Sequence, residues 1–141
     1  MHEQGRFHSS SGFVMTRGKA LVLVFPVLLA FLFRFPLLAQ RPMHCDEAVH
    51  ADKFGTLLEQ GRYEYSTVDY HGPTLYYMTL VSAKIQGAVR YADLGEITLR
   101  MVPAATGLVL VAAHFLLIPY IGFPAALCSA LLMAISPAAS V

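Results

Sequence analysis

Two neighbouring carboxylates, two imidazoles and a thiol fall within nine residues, Pro42-Met43-His44-Cys45-Asp46-Glu47-Ala48-Val49-His50. If this stretch is helical, Asp46 and Glu47 point about 100° apart and cannot address one atom in the same way. Asp46 and His50 stand at i and i+4, and Glu47 and His50 at i and i+3, so either pair shares a face. A carboxylate in a first helical turn is held as the anion by the helix dipole. Such an anion can deprotonate an alcohol or hold a divalent cation through oxygen. The same spacing also suits the start of a solvated amphipathic helix. His44, Cys45, Asp46 and His50 are the right residue types for zinc, but their spacing matches no zinc motif and adjacent ligands crowd one tetrahedron. Some twenty residues on comes Asp69-Tyr70-His71-Gly72-Pro73. There Asp69 and His71 can act as hydrogen-bonding partners or phosphate contacts, or serve as ordinary turn residues. Taken together, the two patches are expected to form one polar site at the outer face of a membrane.

The elements that must position these groups are mostly apolar. The chain has 141 residues, 56% hydrophobic and 13% charged, with a mean hydropathy of +0.55. That balance points to an integral membrane protein of all-α class. A net charge of +1 gives no reason to expect a nucleic-acid partner. The two cysteines, Cys45 in polar and Cys128 in apolar surroundings, are not expected to pair.

In chain order, residues 1–19 read as a short disordered tail with Arg6, Arg17 and Lys19. Residues 20–38 are apolar apart from Arg34 and long enough, at about 28 Å, to cross a bilayer. Their leucines, valines and phenylalanines favour insertion by about 6 kcal/mol, against a cost of about 2.5 to 3.5 kcal/mol for an arginine at the centre. Arg34 lies near the outer end and can snorkel to the headgroups. A cleaved signal peptide is the rival, but the run is long and lacks an A-x-A site. Residues 39–96 form an outer loop that holds eight of the nine acidic residues. Within it, 46–60 and 74–89 are expected as juxtamembrane helices. The second carries Tyr76 and Tyr77 at headgroup depth and lies in the interface, with a spanning helix as the alternative. Residues 97–118 make a second membrane helix, where His114 suits an interhelical hydrogen bond. Residues 123–141 begin a third helix rich in small residues, and from the abrupt apolar end the chain is expected to be a fragment. The basic residues flanking the first helix favour a cytoplasmic N-terminus, with 39–96 outside.

The order of these features resembles the start of the GT-C membrane glycosyltransferases. The features are Asp46-Glu47-Ala48 opening a juxtamembrane helix, Tyr70-His71-Gly72-Pro73-Thr74-Leu75-Tyr76-Tyr77, and Leu99-Arg100-Met101-Val102-Pro103 opening a further helix. The likeness is to the protein O-mannosyltransferase and aminoarabinose transferase group, including prokaryotic relatives associated with lipid-oligosaccharide flippases. It implies a multi-pass enzyme of the prokaryotic plasma membrane that takes a sugar from a polyprenyl-phosphate donor to a protein, lipid or glycan acceptor. It further implies Asp46, with Glu47 beside it, as metal ligand or general base, and Asp46 and His50 as ligands of Mg or Mn. His71, Tyr76, Tyr77 and Arg100 are then substrate contacts. His71 falls on the histidine of a His-Pro-Pro-Leu-Tyr pattern, from which this chain departs at Gly72 and by the extra Thr74. Members of the group are several times longer, so this stretch alone is not expected to be active.

Two other readings stand beside it. One is a non-catalytic membrane subunit associated with lipid-oligosaccharide flipping or transport. Transporters usually keep ionisable groups at mid-bilayer depth, where only His114 qualifies here. The other is a metal-binding membrane protein built on Cys45, His44 and His50.

Overall fold

The computed structural model describes residues 16–36, 38–65, 67 and 72–136, and every regular element among them is a helix. Helix α1 (Arg17–Arg34) begins ahead of the expected residue 20 because Thr16 caps it, its Oγ1 accepting the Lys19 N–H at 3.4 Å. It stops at Arg34 rather than 38, just before Pro36, which has no N–H to continue the ladder. Helix α2 (Cys45–Gln60) opens on a capping box formed by His44 and Glu47. Helix α3 (Pro73–Gln86) starts with proline at its first position. Both end on a glycine in the left-handed region, Gly61 at φ 68° and Gly87 at φ 73°, a conformation that costs side-chain-bearing residues energy. Gly87 ends α3 three residues before the expected 89. At 14 residues the helix is about 21 Å long, too short to cross a bilayer.

A 3₁₀ turn, Tyr91–Asp93, then leads into α4 (Glu96–Ala113). The Asp93 carboxylate accepts the Val89 and Arg90 N–H groups at 3.1 and 2.9 Å. Those two bonds hold it below the usual carboxylate range. The Tyr91 N–H donates to Glu59 at 2.8 Å, tying the turn to α2. Gly55 makes this approach feasible, since a Cβ there would run into the Tyr91 ring. Thr98 donates to Gln86 at 3.0 Å and joins the start of α4 to the end of α3. Helix α4 continues through the 3₁₀ segment His114–Leu117 into α5 (Ile118–Ile121), and α6 (Phe123–Ile135) follows after Gly122.

Helices α1, α4–α5 and α6 form a three-helix bundle. Lys19 lies over the Phe123 ring, Leu23 packs with Ile118 and Ala126, and Ala30 packs with Val111, Ala130 and Ala134. Helices α1 and α6 therefore run parallel, with α4 antiparallel to both. Fully buried Ala30, Ala126 and Ala130 let the backbones approach closely. Arg34 does not reach outward as expected. It is buried and donates to the carbonyls of Ala134 at 3.1 Å and Met133 at 2.9 Å, closing the last turn of α6. Nor does His114 bridge helices; its Nδ1 donates to Leu110 O, one turn back in its own helix, at 2.7 Å.

A second core sits at the end of the bundle where α1 finishes. It comprises Ala51, Phe54 and Leu57 of α2, Tyr76 and Ala83 of α3, Ala88, and Leu99 of α4. Helix α3 lies along the first turns of α4, and between them runs an apolar groove of about 490 Å³ lined by Met78, Val81, Ile85, Met101, Val102 and Val109. The outside of the bundle is apolar too: Leu21, Phe25, Leu32, Val109, Leu116 and Leu132 are each more than half exposed. By length and apolarity, Glu96–Ile121 is the one described helix sufficient to cross a membrane. Helix α1, expected as another span, carries Arg17, Lys19 and Arg34 within its 18 residues, and α6 is described over 13.

Candidate functional site

The N-terminus of α2 brings Asp46 and Glu47 into the first turn, as their sequence position implies, but gives them opposite fates. Glu47 is turned inward. Its Oε1 accepts Arg100 Nε at 2.7 Å, and its Oε2 accepts Arg100 Nη2 at 2.8 Å and the His44 N–H at 2.9 Å. Hydrogen bonding from Arg100 first, and from the His44 backbone, holds this carboxyl below the usual range despite its partial burial. An anion so fully engaged is a poor proton acceptor.

Arg100 is equally committed. Besides Glu47 it donates through Nη1 to Leu38 O at 2.6 Å and Arg41 O at 3.0 Å, and through Nη2 to Pro42 O at 3.3 Å. A guanidinium has five N–H donors, and these five contacts use them all. The expected role of Arg100 as a substrate contact is thus replaced by a clasp that gathers residues 38–42 and the start of α2 onto α4.

Asp46 is left facing solvent, its side chain 78% exposed. Its Oδ2 lies 3.7 Å from His44 Nδ1 and its Oδ1 3.7 Å from Cys45 Sγ, while Cys45 Sγ and His44 Nδ1 are 3.5 Å apart. His44, Cys45 and Asp46 form a group whose ligand atoms all lie within 4.8 Å of one another. His50 is not part of it. One turn further on, His50 stacks on Phe54 and lies 4.9 Å, ring to ring, from Tyr76, with Nε2 3.4 Å from Thr79 Oγ1. Thr79 gives its own hydrogen to Leu75 O at 2.8 Å, so His50 carries its proton on Nε2 and donates to Thr79. That orientation faces α3, not Asp46.

The tyrosines divide as well. Tyr76 is 1% exposed, packed between His50 and Tyr63, and is a core residue rather than a headgroup anchor. Tyr77 is half exposed, beside Tyr63. His71 and Asp69 lie outside the described residues.

The Arg100–Glu47 clasp and the convergence of His44, Cys45 and Asp46 are what sequence spacing did not reveal. The pattern His44-x-x-Glu47 is a capping box with histidine in place of the usual serine or threonine, and it was the one signal that Glu47 turns back on its own helix. Among the described residues, the donors neighbouring Asp46 are nitrogen and sulfur, with no second free carboxylate. That set does not fit Mg or Mn, which favour oxygen ligands. Comparison of the chain with protein-family models, with curated proteins and with solved structures finds no match.

Proposed function

We propose that the chain is the N-terminal, membrane-embedded part of a GT-C-type glycosyltransferase, passing a sugar from a polyprenyl-phosphate donor to a hydroxyl acceptor at the outer face of a prokaryotic plasma membrane. The observation that carries this reading is the setting of Asp46. It is an exposed carboxylate on a helix start pinned by Arg100, which immediately precedes Met101 and Val102 of the apolar groove. A lipid-borne phosphate ester needs that combination, with hydrocarbon on one side and a fixed polar group on the other.

The unburied apolar surface of α1, α4 and α6 supports a bilayer around the bundle, since contiguous exposed patches of this kind are rare on water-soluble monomers. The alternation of helix direction fits three crossings, with α2 and α3 at one face and the N-terminus of α1 with the α5–α6 turn at the other. The flanking charges favour the former as outer.

In this scheme Asp46 takes the proton of the acceptor hydroxyl. The acceptor oxygen bonds to the anomeric carbon, the bond from that carbon to the phosphate oxygen breaks, and polyprenyl phosphate leaves with the electron pair. Glu47 and Arg100 are positioning residues.

The test uses membranes containing the complete gene product and a radiolabelled polyprenyl-phosphate sugar. Asp46→Asn should abolish transfer while membrane insertion stays at the wild-type level, and Asp46→Glu should retain part of the activity. Full transfer by Asp46→Asn removes Asp46 from the reaction. Donor binding without turnover in the wild type would favour the non-catalytic subunit instead.

A further inference from the structure

We infer that α3 is seated sideways in the outer leaflet, its open face sunk among the acyl chains and Lys84 paired with an anionic phospholipid headgroup. The inference rests on the bilayer reading proposed above and adds a partner to it, a negatively charged lipid surface.

Helices α2 and α3 share one core but present opposite exteriors. On α2 the outward residues Asp52, Glu59 and Gln60 are polar and exposed. On α3 the hydroxyls of Thr79 and Ser82 are buried, together with Tyr76 and Ala83. Tyr77, Met78, Val81 and Ile85 are instead 52%, 50%, 60% and 76% exposed. The usual order of an amphipathic helix is therefore reversed, with hydroxyls inside and hydrocarbon outside. A stripe at 77, 81 and 85, successive fourth residues, is what a helix lying in the interface presents to lipid.

Continuity, depth and charge name the occupant. The groove beside Val81 and Ile85 has Val109 of α4 on its far side. Val109 is itself 68% exposed, so the open face of α3 runs directly into the exterior of the long apolar helix. Thr98 donates to Gln86 at 3.0 Å, which sets the end of α3 level with the first turn of α4. A span that starts at Glu96 meets the headgroups at that level. Lys84 stands two residues before this contact, exposed and the one charged residue of α3. At about 100° per residue, the face grades from Lys84 and Tyr77 on one flank, through Val81, to Ile85 and Met78 beside the groove. That gradation puts a cation and a phenol at headgroup level and the methyl groups among the chains. With no acid on the helix, the headgroup it attracts is anionic.

The experiment uses the purified complete protein, its cysteines replaced by serine, in nanodiscs of phosphatidylcholine and phosphatidylglycerol. An environment-sensitive fluorophore is attached in turn to Val81→Cys, Ile85→Cys, Gln60→Cys and Leu116→Cys, all exposed positions, and circular dichroism checks that each protein is folded. Labels at 81 and 85 should be quenched by lipids spin-labelled on the upper acyl chain and protected from aqueous iodide, with the reverse at 60. Spin-labelled phosphatidylglycerol should quench the label at 85 about twofold or more better than the matching phosphatidylcholine, and Lys84→Gln should bring that ratio to one. Iodide quenching at 81 and 85 overturns the inference. So does equal quenching by the two lipids, or shielding from both quenchers, which would mark a protein partner on this face. Leu116 reports the bilayer itself: lipid quenching at 116 without it at 81 sinks the seat of α3 alone, and its absence at both sinks the bilayer reading too. The readout contains no sugar donor, so failure of the transferase reading is seen separately.

Discussion

Arg100 and Glu47 meet in a fork, with two near-parallel hydrogen bonds of 2.7 and 2.8 Å across 53 residues of chain. Their side chains are 9% and 22% exposed. The pair is largely withdrawn from water, so removing one partner leaves an uncompensated charge rather than merely losing a contact. Arg100→Ala and Glu47→Ala should each cost about 3 to 5 kcal/mol, read as a drop in the thermal midpoint in detergent. The double variant should cost less than the sum of the two. Arg100→Lys should recover only part of the loss, because an ammonium cannot reproduce the fork and the three carbonyl contacts. Additive single losses would mean that the two residues do not act as one clasp.

Gly55 and Tyr91 provide a prediction whose sign reverses with background. Alanine in place of a mid-helix glycine ordinarily stabilises by about 1 kcal/mol. Here the new methyl meets the Tyr91 ring, and such overpacking costs about 1 to 3 kcal/mol. Gly55→Ala should therefore lower stability in the wild type and raise it in a Tyr91→Ala background. Chemical unfolding of the four proteins closes the cycle.

Asp93 sets a pH dependence. Its carboxyl is held below the ordinary range by the Val89 and Arg90 N–H groups, so its contribution is fully present above the unfolded value of about 3.9. It is lost as pH falls through the lower folded value. The midpoint difference between wild type and Asp93→Asn should stay constant from neutral pH to about 5 and shrink below about 4. A difference that grows on acidification contradicts the assignment.

Arg34 tests the bundle. Arg34→Leu keeps bulk but leaves the Met133 and Ala134 carbonyls without the donors they now use. Each such orphan costs about 1 to 3 kcal/mol when buried. The end of α6 should then exchange its amide hydrogens faster while α2 is unaffected, as seen by hydrogen exchange. Equal protection along α6 in both proteins would show that the cap is idle.

Sidedness is checked with thiols. In intact cells a membrane-impermeant maleimide should label Cys45 of a Cys128→Ser protein. Labelling only after lysis would put α2 on the cytoplasmic face and remove the proposed access to an outer donor.

Much of this fold was legible in the apolar runs and their punctuation. Gly61, Gly87, Pro73 and Pro36 stand at or beside element ends, and the expected helices 46–60 and 74–89 correspond to α2 and α3 within a few residues. The ends shifted where capping chemistry decided them, as Thr16 does for α1. What spacing could not show was partner choice over long separations. Arg34 has the same local sequence whether it reaches for headgroups or for the end of α6, and Tyr76 looks the same as an interfacial anchor or as a ring enclosed by His50 and Tyr63. Glu47 and Asp46 are adjacent and chemically alike. Only the packing of Arg100 against one of them separates a structural carboxylate from an available one.

The contact between Arg34 and the end of α6 also fixes an order of events. The two are about a hundred residues apart in the chain, so α1 leaves the ribosome long before the carbonyls it serves exist. Until α6 arrives, that guanidinium lacks the two carbonyls that bind it in the folded bundle. The contact acts as a latch between α1 and α6, closed only when α6 stands in place.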